Sequence, residues 1–322
     1  MALSEFELIK RYFFQSARAF GVNMGIGDDC ALLSVPENKV LAVSMDTLVG
    51  GIHFPRNADP ELIAERALRV NLSDLAAMGA EPLWFTLGLT MPKADEQWLE
   101  GFSRGLFACA DQYNIALVGG DTTRGPLAIT IQVHGAVEQD YAFMRGNARV
   151  GDVIYVTDQL GNAAAALAVI RQELSVGKSA FSYFMQHYYR PVPRLKEAKL
   201  LRGITHCAID VSDGLLADLG HICEESGVGA KVDIERVPVS TALNKVAEAE
   251  QIANWALGGG DDYQLCFTVP QAKMAKVEQL IADGKLNATA IGEIVKGGDV
   301  TCLLDGEPYE PSRRGYSHFD RA

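Results

Sequence analysis

Six short segments set aspartate beside glycine or a small hydroxyl residue: Gly25-Ile26-Gly27-Asp28-Asp29, Ser44-Met45-Asp46-Thr47, Asn71-Leu72-Ser73-Asp74, Gly119-Gly120-Asp121-Thr122-Thr123, Asp210-Val211-Ser212-Asp213-Gly214 and Gly258-Gly259-Gly260-Asp261-Asp262. Short carboxylates on flexible backbone are what holds hard divalent cations against phosphate oxygens. If the segments converge in space, the chain is a magnesium-dependent phosphoryl-transfer enzyme.

Each segment also has a plainer reading. Gly119–Gly125 reads as a turn after a buried strand, since glycine and aspartate dominate turns. It equally reads as a loop offering backbone donors, one carboxylate, two hydroxyls and Arg124 to a phosphate and its metal. Gly25–Asp29 could be a loop capped by its own aspartates. Asp46 ends an apolar strand, where a charge has no packing purpose. Asp74 lies at i+3 from Asn71 on a largely apolar helix, so it is an exposed edge or a carboxylate that must be protonated, paired or metal-bound. Ser212 or Asp213 could be a simple helix cap. A phosphate and metal site at a helix start accounts for Asp210, Ser212 and Asp213 together. His53 alone reads as a histidine on a turn. No segment decides the matter singly; jointly they point to a polyphosphate–metal site.

Two familiar nucleotide motifs fail. Gly177-Lys178-Ser179 ends like a phosphate loop, but Gln172 stands where the first glycine belongs. Gly25–Cys30 begins like a dinucleotide fingerprint, yet Cys30 replaces the third glycine and a strand follows. Asn71-Leu72-Ser73 is a formal glycosylation sequon inside a predicted helix and carries no weight.

The elements that would hold these segments alternate between helix and strand. The pattern predicts helices over 4–20 (opened by a Ser4–Glu7 capping box), 59–79, 95–113, 161–173, 193–202, 214–226 and 271–283. Strands are predicted over 30–35, 39–45, 83–91, 115–118, 127–137, 153–157, 206–211, 230–234, 263–269, 288–295 and 300–304. Residues 174–192 read as either an insertion or an ordinary helix. The class is α/β or α+β, and a break near 145–152 divides the chain into 1–148 and 149–322.

At 322 residues, with 48% hydrophobic and 22% charged residues, the composition is that of a two-domain soluble protein. No apolar run is long enough for a membrane span. Glu5 and Glu7 precede Lys10 and Arg11, the reverse of a signal peptide, so the expected location is cytoplasmic. The six cysteines form no Cys-x-x-Cys pair and read as reduced core residues, which argues against zinc. A net charge of −12 argues against a nucleic-acid partner, and means that a bound polyphosphate must bring its own cations.

In Gly25–Asp29, Asp46–Val49 with His53-Phe54, Asn71–Gly79, Gly119–Gly125, Ser212–Leu215 and Gly259–Tyr263, the chain resembles the thiamine-monophosphate kinase family, and the resemblance runs from its N-terminal helix to Gly315-Tyr316. The resemblance implies phosphorylation of thiamine monophosphate by ATP to thiamine diphosphate. It implies the fold shared with aminoimidazole-ribonucleotide synthetase, with an N-terminal α/β domain pairing into a dimeric β-barrel, a C-terminal α/β domain, and a homodimer. By motif, it implies magnesium ligands at Asp29, Ser44, Met45, Asp46, Asp74, Asp121, Asp210 and Asp213, with Asp46, Asp121 and Asp213 at the reacting groups. It implies nucleotide contacts at Gly120, Arg145 and Ser212, and thiamine-phosphate contacts at His53, Asp261 and Tyr316. Met45 stands where relatives carry a small or hydroxyl residue, so only its carbonyl could ligate. Asp261 stands where relatives carry glutamate, one methylene shorter in reach.

Within the same superfamily, an amidine-forming or selenophosphate synthetase is the nearest rival. The latter needs a reactive cysteine near a lysine in a mobile N-terminal segment, whereas the first cysteine here is Cys30, after the aspartate pair. A non-catalytic thiamine-phosphate or nucleotide binder would not need so many carboxylates, which cost stability without metal.

Overall fold

The computed structural model describes residues 5–14 and 19–316. They form two compact units, one within residues 1–75 and 80–140, the other within 76–79 and 141–322.

The first unit begins with α1 (Glu5–Leu8), continued by a π-helical turn over Ile9–Phe13. Phe14 is extended, so the helix predicted over 4–20 stops there; the Ser4 cap lies outside the described residues. A small ribbon pairs β1 (Val22–Met24) with β2 (Leu32–Leu33), the latter shorter than the strand predicted over 30–35. Then follow β3 (Val40–Val49), α2 (Pro60–Ala77), β4 (Glu81–Met91), α3 (Glu96–Tyr113), β5 (Ala116–Arg124) and β6 (Ala128–Val137). The four long strands make a sheet in the order β3-β6-β4-β5, with only β4 and β5 parallel.

In this unit α2 carries Ile63, Leu68, Leu72 and Leu75, all buried, and its apolar stripe places it in the core as predicted. α3 starts at Asp95, whose carboxylate accepts from Trp98 N, and ends at the left-handed Asn114. It passes so close to α2 that a Cβ at Gly105 would lie 2.3 Å from the Glu61 carbonyl oxygen. Arg69 fastens the pair, donating to Tyr113 Oη, Gln112 Oε1 and Glu65 Oε2.

The second unit contains β7 (Val153–Thr157), α4 (Asn162–Ile170), α5 (Lys178–Tyr189), α6 (Leu195–Leu201), β8 (Cys207–Asp210), α7 (Leu215–Ser226) and β9 (Gly229–Asp233). It continues with α8 (Ala249–Gly258), β10 (Leu265–Val269), α9 (Met274–Ala282), β11 (Ala288–Val295), β12 (Val300–Leu304) and β13 (Glu307–Tyr309). Residues 174–192 therefore hold an ordinary helix, α5. Neither α8 nor β13 was expected from the pattern.

Its sheet runs β13-β12-β9-β11-β7-β10-β8, antiparallel except between β12 and β9. Both faces are buried. Along β10, Cys266 joins a core with α7 and α8, while Leu265 and Phe267 join another with α6 and α9. Continuous apolar strands such as Cys207-Ala208-Ile209 follow from that two-sided cover.

Five cysteines are buried free thiols, but Cys30 is exposed, which corrects its expected place in a core. Burial pushes Cys109 and Cys207 up to about 12 and Cys223 to about 11, so these thiols are inert packing groups.

Candidate functional site

In the first unit, β3 runs four residues beyond the predicted strand. Asp46 is thus a mid-strand residue paired in register with Ile131, not a strand-end residue. Strand alternation sends Ser44 and Asp46 to one face and Met45 to the other. The Ser44 hydroxyl donates to Asp74 Oδ2 at 2.6 Å, and Asp46 N–H donates to Asn71 Oδ1 at 3.0 Å. Asn71 is fully buried, and its amide group donates back to the Ala67 carbonyl. This pair of residues on α2 therefore grips two alternate residues of β3. The thioether of Met45, 58% exposed, lies on the opposite face with Leu41 and Val43, which leaves the Met45 carbonyl as its only candidate ligand atom.

Gly119–Arg124 does not form a loop. It continues β5 as a sheet edge, paired on one side only with β4. Gly120 has φ +152° and approaches β4 so closely that a Cβ would sit 2.0 Å from the Leu87 carbonyl oxygen. Glycine is required there by contact with β4, and the next residue, Asp121, is exposed with its Oδ1 accepting from Thr122 N. Asp29 is also exposed, its N–H donating to Asp28 Oδ1. His53 sits in the turn after β3, where its Nδ1 accepts from Val49 N–H at 2.9 Å. A neutral ring accepting at Nδ1 carries its proton on Nε2.

In the second unit, three predicted segments meet through their backbones. Asp261 N–H donates to the Ser212 carbonyl at 2.8 Å, and Tyr316 N–H to the Asp213 carbonyl at 2.9 Å. Asp261 is held at φ +71°, and a Cβ on Gly260 would lie 2.3 Å from the Ser212 oxygen. Asp210 is buried at the end of β8. Sequence reasoning missed Asp218, on the first turn of α7. Its Oδ2 accepts from both Asp213 N–H and Gly214 N–H, fixing the loop that carries Ser212 and Asp213. The signal for it was local: an acidic residue four positions after Gly214, able to cap the helix start.

Burial, then Asp210 and then Asp213, push Asp218 up to about 8 against the pull of those two N–H donors. Three carboxyls close enough for two of them to raise the third mark a place short of positive charge. Within each unit, taken by itself, the expected ligands are hard oxygens: carboxylates, joined in the first unit by the Ser44 hydroxyl, a kind of donor that suits magnesium rather than zinc. They do not close into a cage by themselves: among the described residues no three His, Cys, Asp or Glu side chains are grouped to enclose a metal ion. Arg124 and Arg145 are exposed, and among the described residues neither guanidinium has a hydrogen-bond or ion-pair partner.

Residues 27–137 match AIR synthase related protein, N-terminal domain, and residues 149–305 match AIR synthase related protein, C-terminal domain. The chain is 47% identical over 323 residues to thiamine-monophosphate kinase of Escherichia coli (strain K12), with 99% of each chain covered. It is similar to the crystal structure of thiamine-monophosphate kinase from Stenotrophomonas maltophilia K279a, at TM-score 0.86 and 43% identity, covering 96% of this chain and 99% of that one. AaThiL complexed with AMPPCP and TMP aligns at TM-score 0.78 and 28% identity, covering 94% and 93%.

Proposed function

Since the chain belongs to the thiamine-monophosphate kinase family, we propose that it moves the terminal phosphoryl group of ATP directly onto thiamine monophosphate, in line and without a covalent enzyme intermediate. It is a kinase with the two-domain α/β fold of the AIR synthase relatives. The observation that carries the detailed reading is the grip of Asn71 and Asp74 on Asp46 and Ser44. Those bonds join α2 to β3 and bring the Asp74 carboxylate and the Ser44 hydroxyl side by side on rigid elements, with Asp46 next along the same face of the strand.

The acceptor's phosphate has a second pKa near about 6, so it is largely dianionic at neutral pH and needs no strong base. The obstacle is repulsion. Two unit charges 4 Å apart cost on the order of 4 kcal/mol at an effective dielectric of 20, and ATP with a monophosphate presents several such pairs. Arg124 and Arg145 cannot offset that sum alone. Magnesium ions, held by Asp29, Ser44, the Met45 carbonyl, Asp46, Asp74, Asp121, Asp210 and Asp213, would supply the missing positive charge to the phosphate oxygens.

The remaining roles fall to the chain's own groups. Gly120, Arg145 and Ser212 contact the nucleotide; His53, Asp261 and Tyr316 contact the thiamine phosphate. Asp46, Asp121 and Asp213, as ligands of the metal ions, would stand nearest the reacting phosphates. In the second unit, the backbone contacts of Asp261 with Ser212 and of Tyr316 with Asp213 support roles for both substrates on adjoining segments. The division at 148/149 separates a metal- and ATP-binding, dimer-forming part from a C-terminal α/β part. β3 is a sheet edge with an exposed apolar row of Leu41, Val43 and Met45, which supports a homodimer closed across that edge into a barrel. Among the described residues no helix is long and apolar enough to cross a membrane. We place the reaction in the cytoplasm, with ATP.

The test is incubation with ATP, Mg²⁺ and thiamine monophosphate. Equal amounts of ADP and thiamine diphosphate are expected. ADP without thiamine diphosphate would indicate another phosphate acceptor, and no ADP would reduce the chain to a binding protein.

A further inference from the structure

Arg145 combines a side chain without a partner among the described residues with a backbone held from several directions. It opens a 3-10 turn, Arg145–Asn147, within the second unit and ahead of β7. Met144 N–H donates to the His206 carbonyl at 2.9 Å, and Asn147 Nδ2 donates to the same oxygen at 3.3 Å. The Arg145 carbonyl accepts from Cys207 Sγ at 3.5 Å and, more closely, from Ser226 Oγ at 2.7 Å. That hydroxyl in turn accepts from Ala148 N–H at 3.1 Å.

Ser226 therefore stands between the carbonyl of Arg145 and the N–H three residues on. In a tight turn these two groups would bond directly. Here a side chain from elsewhere in the sequence relays the bond and fastens the turn to α7. Ser226 is the last residue of that helix, which ends at the left-handed Gly227. The packing is close, since a Cβ on Gly146 would lie 3.2 Å from the Glu225 carbonyl oxygen.

We propose that Ser226 is a positioning residue for nucleotide binding: its hydroxyl fixes the backbone of the Arg145 turn, so that the exposed guanidinium reaches ATP from one anchored Cα. The proposal rests on the reading that Arg145 contacts the nucleotide. A turn that the ligand must order weakens binding, whereas a turn already held by the fold has lost that freedom in folding. Without the hydroxyl, the Arg145 carbonyl keeps only the weak thiol donor and Ala148 N–H loses its acceptor.

The experiment compares Ser226→Ala, Ser226→Thr, Arg145→Ala and the Ser226→Ala/Arg145→Ala double variant by steady-state kinetics and thermal melting. Ser226→Ala is expected to raise KM for ATP roughly fivefold, the scale of one ordinary hydrogen bond, with KM for thiamine monophosphate within about twofold. Ser226→Thr keeps the hydroxyl and is expected to restore KM for ATP. In the Arg145→Ala background, Ser226→Ala is expected to add less than about twofold, because its effect passes through the guanidinium. Equal rises in both KM values, or an undiminished effect in the double variant, would make Ser226 purely structural and overturn the proposal. An unchanged KM for ATP in Ser226→Ala, with a raised one in Arg145→Ala, would overturn it while leaving the nucleotide role of Arg145 intact. An unchanged KM for ATP in Arg145→Ala would overturn that role itself.

Discussion

His53 shows how much a single residue can hide in a sequence. As a letter it is a histidine on a turn. In the fold, Val49 N–H occupies its Nδ1 and leaves Nε2 as the proton carrier, a fixed neutral donor beside the end of β3. His53→Ala should therefore raise KM for thiamine monophosphate roughly five- to tenfold with little change in kcat or in KM for ATP, as steady-state kinetics would show. An unchanged KM would return His53 to a turn residue. The aspartates were legible because composition alone marks them. Their fasteners were not. Asn71 meets Asp46 across 25 residues, and Ser226 meets Arg145 across 81, so no local spacing announces either contact. Asn71 left a trace as a polar residue in a buried apolar stripe. Ser226 left none.

Among the elements, the long periodic helices α2, α3 and α7 were readable because a stripe of apolar residues and a cap specify them together. β5 was not. Gly-Gly-Asp-Thr-Thr has turn composition, but at a sheet edge the glycine permits contact with Leu87 and the polar side chains keep solvent access, so the strand continues. Helix α4 offers a test of how such ends are held. Asp262, buried, accepts from Gly161 N–H at 2.7 Å and Ala163 N–H at 3.2 Å, and burial pushes it up to about 7 against those bonds. An unfolded aspartate titrates near about 3.9. Between about pH 4 and pH 7 the folded chain thus binds more protons than the unfolded one, and stability falls as pH rises through that window. Asp262→Asn should melt at lower temperature overall, because one N–H then faces the amide group, yet show a flatter dependence on pH from 4.5 to 7. A slope parallel to that of the parent protein would contradict this account of Asp262.

For the molecule as a whole, the class and the alternation of helices and strands were legible, whereas strand order was not, since neighbours such as β12 and β9 are joined only in space. The exposed row on β3 leads to a prediction at this scale. If the proposed dimer closes across that row, the parent protein should sediment as a dimer and Val43→Lys, which places a charge in the row, as a folded monomer. A monomeric parent, or a variant whose mass is unchanged, would contradict pairing through that edge. The central claim is that carboxylates carried by both units serve phosphoryl transfer rather than folding. Its most direct measurement is turnover of thiamine monophosphate at limiting Mg²⁺ by Asp46→Asn and Asp121→Asn, set beside the melting temperature of each. Each variant should lose roughly 100-fold or more in kcat, the scale of removing one charge-stabilising group, with melting close to that of the parent protein. Near-parental turnover by either variant at limiting Mg²⁺ would contradict it.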